Sequence, residues 1–174
     1  MEIRKETDFL EKSRQFADWR RKNKDNYLSY ILFISGEKED KLEMGYHNKK
    51  NDKVTTFCIT NCGKKERGIE IRPEENVFKK PDMDVKKLEM DTVKIDVGEA
   101  LAIAQKLQKE KYPAEAPIKI VLILQNLDPY GQIYNLTYVT KCFKTLNLKI
   151  DSETGDVVEE DLVSLMQMGG KEAK

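Results

Sequence analysis

Apolar positions along the chain recur with two different periods. Residues Thr7–Asn23 place Phe9, Leu10, Ser13, Phe16 and Ala17 on one stripe at helical spacing, with Trp19 at its edge, and predict a single helix. Thr7 or Asp8 is suited to cap its first amides. Arg20, Arg21, Lys22 and Lys24 put positive charge at its end, where the helix dipole favours cations. Tyr27–Ile34 is aromatic, partly β-branched and apolar on both faces, the pattern of a central strand. Lys41–His47 and Lys53–Thr60 predict a hairpin, and Gly68–Ile71 a further short strand. Between Arg72 and Leu88 the period is lost and Pro73 and Pro81 intervene, which predicts a connecting loop and a module boundary.

The second half repeats this order. Asp96 is a good N-cap, and Glu99 follows at the spacing of a capping box. Val97, Ala100, Leu101, Ala104 and Leu107 form one apolar face, and Tyr112-Pro113 ends the helix. Strands are predicted at Ile118–Leu127, Gln132–Phe143 and Leu146–Asp151, with turns at Asp128–Gly131 and Ser152–Gly155. Val157-Val158 reads as a closing strand and Asp161–Met168 as a terminal helix. The expected fold class is therefore α+β. It consists of two helix-plus-antiparallel-sheet units, an N-terminal one over residues 1–88 and a C-terminal one over residues 89–174. They form an architectural duplication, as separate modules or as one compact domain.

The stretch Asp96-Val-Gly-Glu-Ala-Leu-Ala-Ile-Ala104 resembles the helix of a PepSY-like module. Leu148-Lys-Ile-Asp151-Ser-Glu-Thr-Gly155-Asp-Val-Val158 resembles the closing hairpin of that family, and the likeness covers about residues 92–166. The resemblance implies a helix packed on a small curved antiparallel sheet, similar in outline to cystatins. It implies roles in binding or inhibition and brings no catalytic residues. Such modules usually sit outside the cell or on membrane proteins, and here the chain departs from the pattern, with neither a signal nor an anchor in view. The first half resembles no family that its residues identify.

Composition narrows the function classes. The 174 residues are 39% hydrophobic, enough for a core, and 36% charged, with 31 Lys and Arg against 31 Asp and Glu. That balance argues against a protein held on nucleic acid mainly by counterion release. No apolar run approaches the length of a signal or a membrane span, so a cytoplasmic protein without membrane contact is expected. Abundant Lys, Glu and Ile with little Gln is a usage also seen in thermophiles. Cys58, Cys62 and Cys142 are too few and too unevenly placed for a disulfide framework. With His47 they do not match zinc-ligand spacing, so the thiols read as incidental and His47 as a solvated turn histidine. Asp151, Glu153 and Asp156 miss the spacing of a calcium loop. No cofactor, metal or catalytic residue is expected.

The expected function is non-catalytic binding, with a protein, a peptide or a small apolar ligand held on the sheet, or a homodimer formed through it. Large aromatics anchor such surfaces, which selects Trp19, Tyr130, Tyr134 and Tyr138. The alternative is a nucleic-acid-associated protein. It would use Arg20, Arg21, Lys22 and Lys24, interleaved with Trp19 and Tyr27, to stack bases and pair phosphates. An enzyme with a cryptic pocket is the third reading, and no motif supports it.

Overall fold

The computed structural model of the protein describes residues 1–35, 41–61, 64, 66–77, 79 and 83–165. Two short helices, α1 (Ile3–Glu11) and α2 (Arg14–Lys22), precede strands β1 (Tyr27–Ser35), β2 (Lys41–Asn48), β3 (Lys53–Thr60), β4 (Gly68–Ile71) and β5 (Glu75–Asn76). A turn of 3-10 helix at Met90–Thr92 leads to α3 (Val97–Lys111). Strands β6 (Pro117–Leu127), β7 (Gly131–Thr140), β8 (Lys144–Asp151) and β9 (Val157–Ser164) follow. All the strands join one antiparallel sheet in the order β4-β3-β2-β1-β6-β7-β8-β9, with β5 also paired to β3.

This single sheet corrects the expected α+β duplication. The protein is mainly β, and the nine strands among its described residues are not divided into two helix-plus-sheet units. The reason lies in β1 and β6. Both are apolar on both faces, as a central strand requires. They pair with each other, Ile31 opposite Leu124 and Phe33 opposite Leu122, so the most apolar strand of each half lies at a shared centre.

Alternate strand positions define the two faces. Ile31, Phe33, Leu42, Met44, Phe57, Leu122, Leu124, Tyr134, Leu136, Leu146 and Leu148 face one side and are buried. They form one core with Ile3, Leu10, Phe16, Val97, Ala100 and Ala104 of the helices. The helices therefore cover one face of the sheet. The capping box at α3 forms as expected: the Asp96 carboxylate accepts from Val97 N at 2.7 Å, and Asp96 N donates to Glu99 at 2.7 Å.

Two local expectations change. The predicted helix over Thr7–Asn23 is α1 and α2, broken at Ser13. Ser13 is extended, and its hydroxyl accepts from Phe16 N at 3.1 Å, so it starts a second helix instead of continuing the first. The segment expected as a terminal helix from Asp161 is strand as far as Ser164, because Leu162 and Val163 pair with Leu146 and Thr145 of β8. The remainder of that expectation, from Met166 onward, lies outside the described residues.

Candidate functional site

Residues 72–77, 79 and 83–86, which follow β4, lie beside the face of the sheet without helices. Between them lies a cavity of about 680 Å³. Its floor is formed by Tyr30 and Leu32 of β1, Glu43 of β2, Val54 and Thr56 of β3, and Ile123 and Gln125 of β6. Arg72, Val77, Lys79 and the stretch Met83–Lys86 wall it. The shape of the floor depends on one glycine. An added Cβ at Gly45 would lie 2.0 Å from Tyr30 Cε1, so only glycine lets this ring cross β2 and place its hydroxyl 3.0 Å from Thr56 Oγ1 on β3.

The cations that line the cavity, Arg72, Lys79 and Lys86, are paired. Arg72 donates to Glu43 at 2.7 Å, and Glu43 is buried. Lys79 donates to Asp52 at 3.0 Å, and Lys86 pairs with Asp128. Burial, and then the nearby Glu43 carboxylate, push the Cys58 thiol above its ordinary range, which leaves it a poor nucleophile. The apolar part of the lining is Leu32, Val54, Val77, Met83, Ile123 and Leu127.

His47 is not the solvated turn residue that the sequence suggested. It is 2% exposed. Its Nδ1 lies 2.8 Å from Tyr27 Oη, and its Nε2 lies 2.9 Å from Asp52 Oδ1. The order Tyr–His–Asp imitates a nucleophile, base and orienting acid. However, the Tyr27 hydroxyl donates to the Val85 carbonyl at 2.7 Å, and none of the three residues lines the cavity. Burial, then the charge of Asp84, raise the Tyr27 hydroxyl above its usual range, the wrong direction for a nucleophile. The trio holds the wall of the cavity in place. The sequence concealed it because Tyr27, Asp52 and Val85 come together only through the β1–β2 ladder and the residues that follow β4.

The four aromatic candidates do not share a surface. Tyr134 and Tyr138 are in the core under the helices, 0% and 2% exposed. Tyr134 donates to Ile95 O at 2.7 Å, and burial lifts the Tyr138 hydroxyl to about 12. Trp19 is half-buried in a cluster with Phe16, Tyr46 and Phe57, at ring separations of 5.4, 5.4 and 5.0 Å. Tyr130 alone lies beside the uncovered face, with Lys149 over its ring and its hydroxyl on Glu159. The parity of β7 could have shown that Tyr134 and Tyr138 share the buried side with Leu136.

The basic candidates are likewise dispersed. The Arg20 guanidinium sits over the rings of Phe16, Trp19 and Tyr46, and donates to the Asn23 and Asn26 carbonyls. Arg21 pairs with Asp18 at 3.3 Å, whereas Lys22 and Lys24 are exposed. Arg20 is thus engaged within the fold. Cys62 lies outside the described residues. Among the described residues, no three or more His, Cys, Asp and Glu side chains gather where a metal ion could be held. No helix among them is long and apolar enough to cross a membrane.

Comparison with known proteins adds the fold alone. No family model matches the chain, and no curated protein matches it. Among solved structures it is similar to a candidate lipoprotein from Clostridium difficile 630. The TM-score is 0.52 and the identity 16%, over 85% of this chain and 90% of the other.

Proposed function

We propose that the protein is a binding protein without chemistry of its own, and that it holds a small amphipathic molecule between the uncovered face of the sheet and residues 72–77, 79 and 83–86. The observation that carries this reading is the cavity of about 680 Å³. Its size is in the range of about 300–1,000 Å³ typical of small-molecule sites. Its mixture of apolar and polar lining residues, with paired cations at the rim, favours a ligand with an apolar body and a polar end. The PepSY-like resemblance of residues 92–166, with its roles in binding or inhibition, supports the same reading. A peptide, or an edge of a second copy, is the competing occupant. The cytoplasmic expectation belongs to this proposal as well. The lipoprotein description belongs to the structural neighbour, and fractionation of the cells that make this chain decides between the two locations.

The test uses 1-anilinonaphthalene-8-sulfonate, an apolar ring system with one fixed negative charge. Binding at one molecule per chain is expected. Ile123→Trp, which puts an indole into the floor, is expected to weaken it by roughly tenfold. No binding to the wild type, or equal binding to both proteins, overturns the proposal. A native mass spectrum of the same sample separates a retained small molecule from a peptide or a dimer.

A further inference from the structure

Proton counting around His47 gives the cavity wall a second property. Ionised Asp52 only accepts hydrogen bonds, so the 2.9 Å contact from His47 requires a proton on Nε2. The Val85 carbonyl also only accepts, so the 2.7 Å contact from Tyr27 uses the single hydroxyl proton. The remaining contact, His47 Nδ1 to Tyr27 Oη at 2.8 Å, then needs a proton from Nδ1. All three hydrogen bonds coexist only when His47 is an imidazolium. When Nδ1 releases its proton to solvent, its lone pair faces Oη. The hydroxyl proton of Tyr27 turns to Nδ1, and Val85 loses its donor.

We infer that His47 and Tyr27 form a proton-operated latch on the stretch Met83–Lys86: imidazolium His47 directs the Tyr27 hydroxyl onto Val85 and fastens the wall, and neutral His47 withdraws it. The charged and titratable groups facing this pair come from several elements. Asp52 of the β2–β3 turn sets a carboxylate against Nε2, and Lys79 donates to the same carboxylate oxygen. Asp84 adds negative charge beside Tyr27, whose raised range keeps it a phenol throughout the titration. The C-terminal end of the wall is fastened independently. Leu88 N donates to Leu28 O at 2.8 Å, the Asn126 amide donates to Lys87 O at 3.2 Å, and Lys86 pairs with Asp128. Release therefore loosens the wall around Val85 and does not detach the segment.

The chain has one histidine, so its ring is a single reporter. Nuclear magnetic resonance on the isotope-labelled full chain, without ligand, follows the ring nitrogens and the Val85 and Lys86 amides from acid to alkaline pH. Three results are expected. Both ring nitrogens carry protons in the acid form, the neutral form keeps its proton on Nε2, and the two amides move with the midpoint of His47. In Tyr27→Phe the ring still titrates and the amides no longer follow it. A neutral form protonated on Nδ1, or amides that ignore His47, or an unchanged response in Tyr27→Phe, overturns the latch. The link to the cavity rests on the proposed function and has its own readout. Dissociation of the naphthalene sulfonate should quicken about fivefold as His47 loses its proton, the factor for one hydrogen bond of ~1 kcal/mol. Tyr27→Phe should dissociate at the fast rate at every pH. If the ring and amides behave as expected while the dye does not bind, the latch stands and the cavity reading falls.

Discussion

Leu136 and Thr137 are neighbours in β7, yet they belong to different environments. Leu136 is fully buried beneath the helices, opposite Leu122 and Leu148. Thr137 faces the other side, where its hydroxyl accepts from the Asn147 amide at 2.9 Å. The two faces of one sheet are built on different physics. The covered face is a close-packed apolar layer in which volume matters. The uncovered face, apart from the apolar residues of the cavity, carries hydrogen bonds and ion pairs: Asn147 to Asn135 at 2.8 Å, Arg72 to Glu43, and Lys149 to Glu159. A packed face fixes the fold, and a face of satisfied polar groups can meet solvent or a ligand without changing it.

Removing one side chain from each face is the sharpest test of the contrast. Leu136→Ala should destabilise the protein by about 2–5 kcal/mol, and Thr137→Ala by roughly 1 kcal/mol, read by urea denaturation. Similar costs would erase the distinction between the faces. A smaller effect concerns how α3 is seated on the covered face. The Asp96 carboxylate caps α3 and also accepts from Ile3 N of α1 at 3.1 Å. Asp96→Ala should therefore cost about 0.5–2 kcal/mol, and hydrogen exchange should quicken in the first turns of both helices. Exchange confined to α3 would show that the link to α1 carries no stability.

The smallest effect expected is the acid response of the uncovered side. The hydrogen bond from Lys149, then that from Tyr130, hold the Glu159 carboxyl below its usual range, and His47 and Lys79 do the same for Asp52. A carboxyl lowered in the folded state stabilises the fold fully above its unfolded value. That contribution is lost as pH falls through the lowered folded value. The urea midpoint should therefore hold from neutral pH down to about 5 and then decline. Glu159→Gln should decline less steeply, and an identical slope would show that its ion pair contributes nothing.

Much of the fold was legible from local pattern. The two-sided apolarity of β1, the 41–60 hairpin and the Asp96 capping box all depend on neighbours within a few residues. The joining of β1 to β6 was not legible, because period and composition mark a strand as central without naming its partner. Ser13 was read as one position on a continuous stripe. Its competing ability to cap a new helix decided the outcome. Two of the aromatic candidates, Tyr134 and Tyr138, lie in the core for a similar reason. A tyrosine can anchor a partner or fill a core, and only strand parity assigns Tyr134 and Tyr138 to the core. The cavity itself has no sequence signature. It is formed by Tyr30 lying across Gly45 and by residues after β4 that show no period.

The pairing of β1 with β6 also bears on how the chain reaches its fold. Residues 30–35 must find residues 120–125, so this ladder closes a loop of roughly ninety residues, while the hairpins on either side close over a few. During synthesis β1 emerges long before its partner. Until residue 127 is out of the ribosome, an intensely apolar strand has one edge unpaired. The strand that unifies the finished sheet thus presents an unpaired edge on the nascent chain until β6 arrives, and such edges are sites of aggregation.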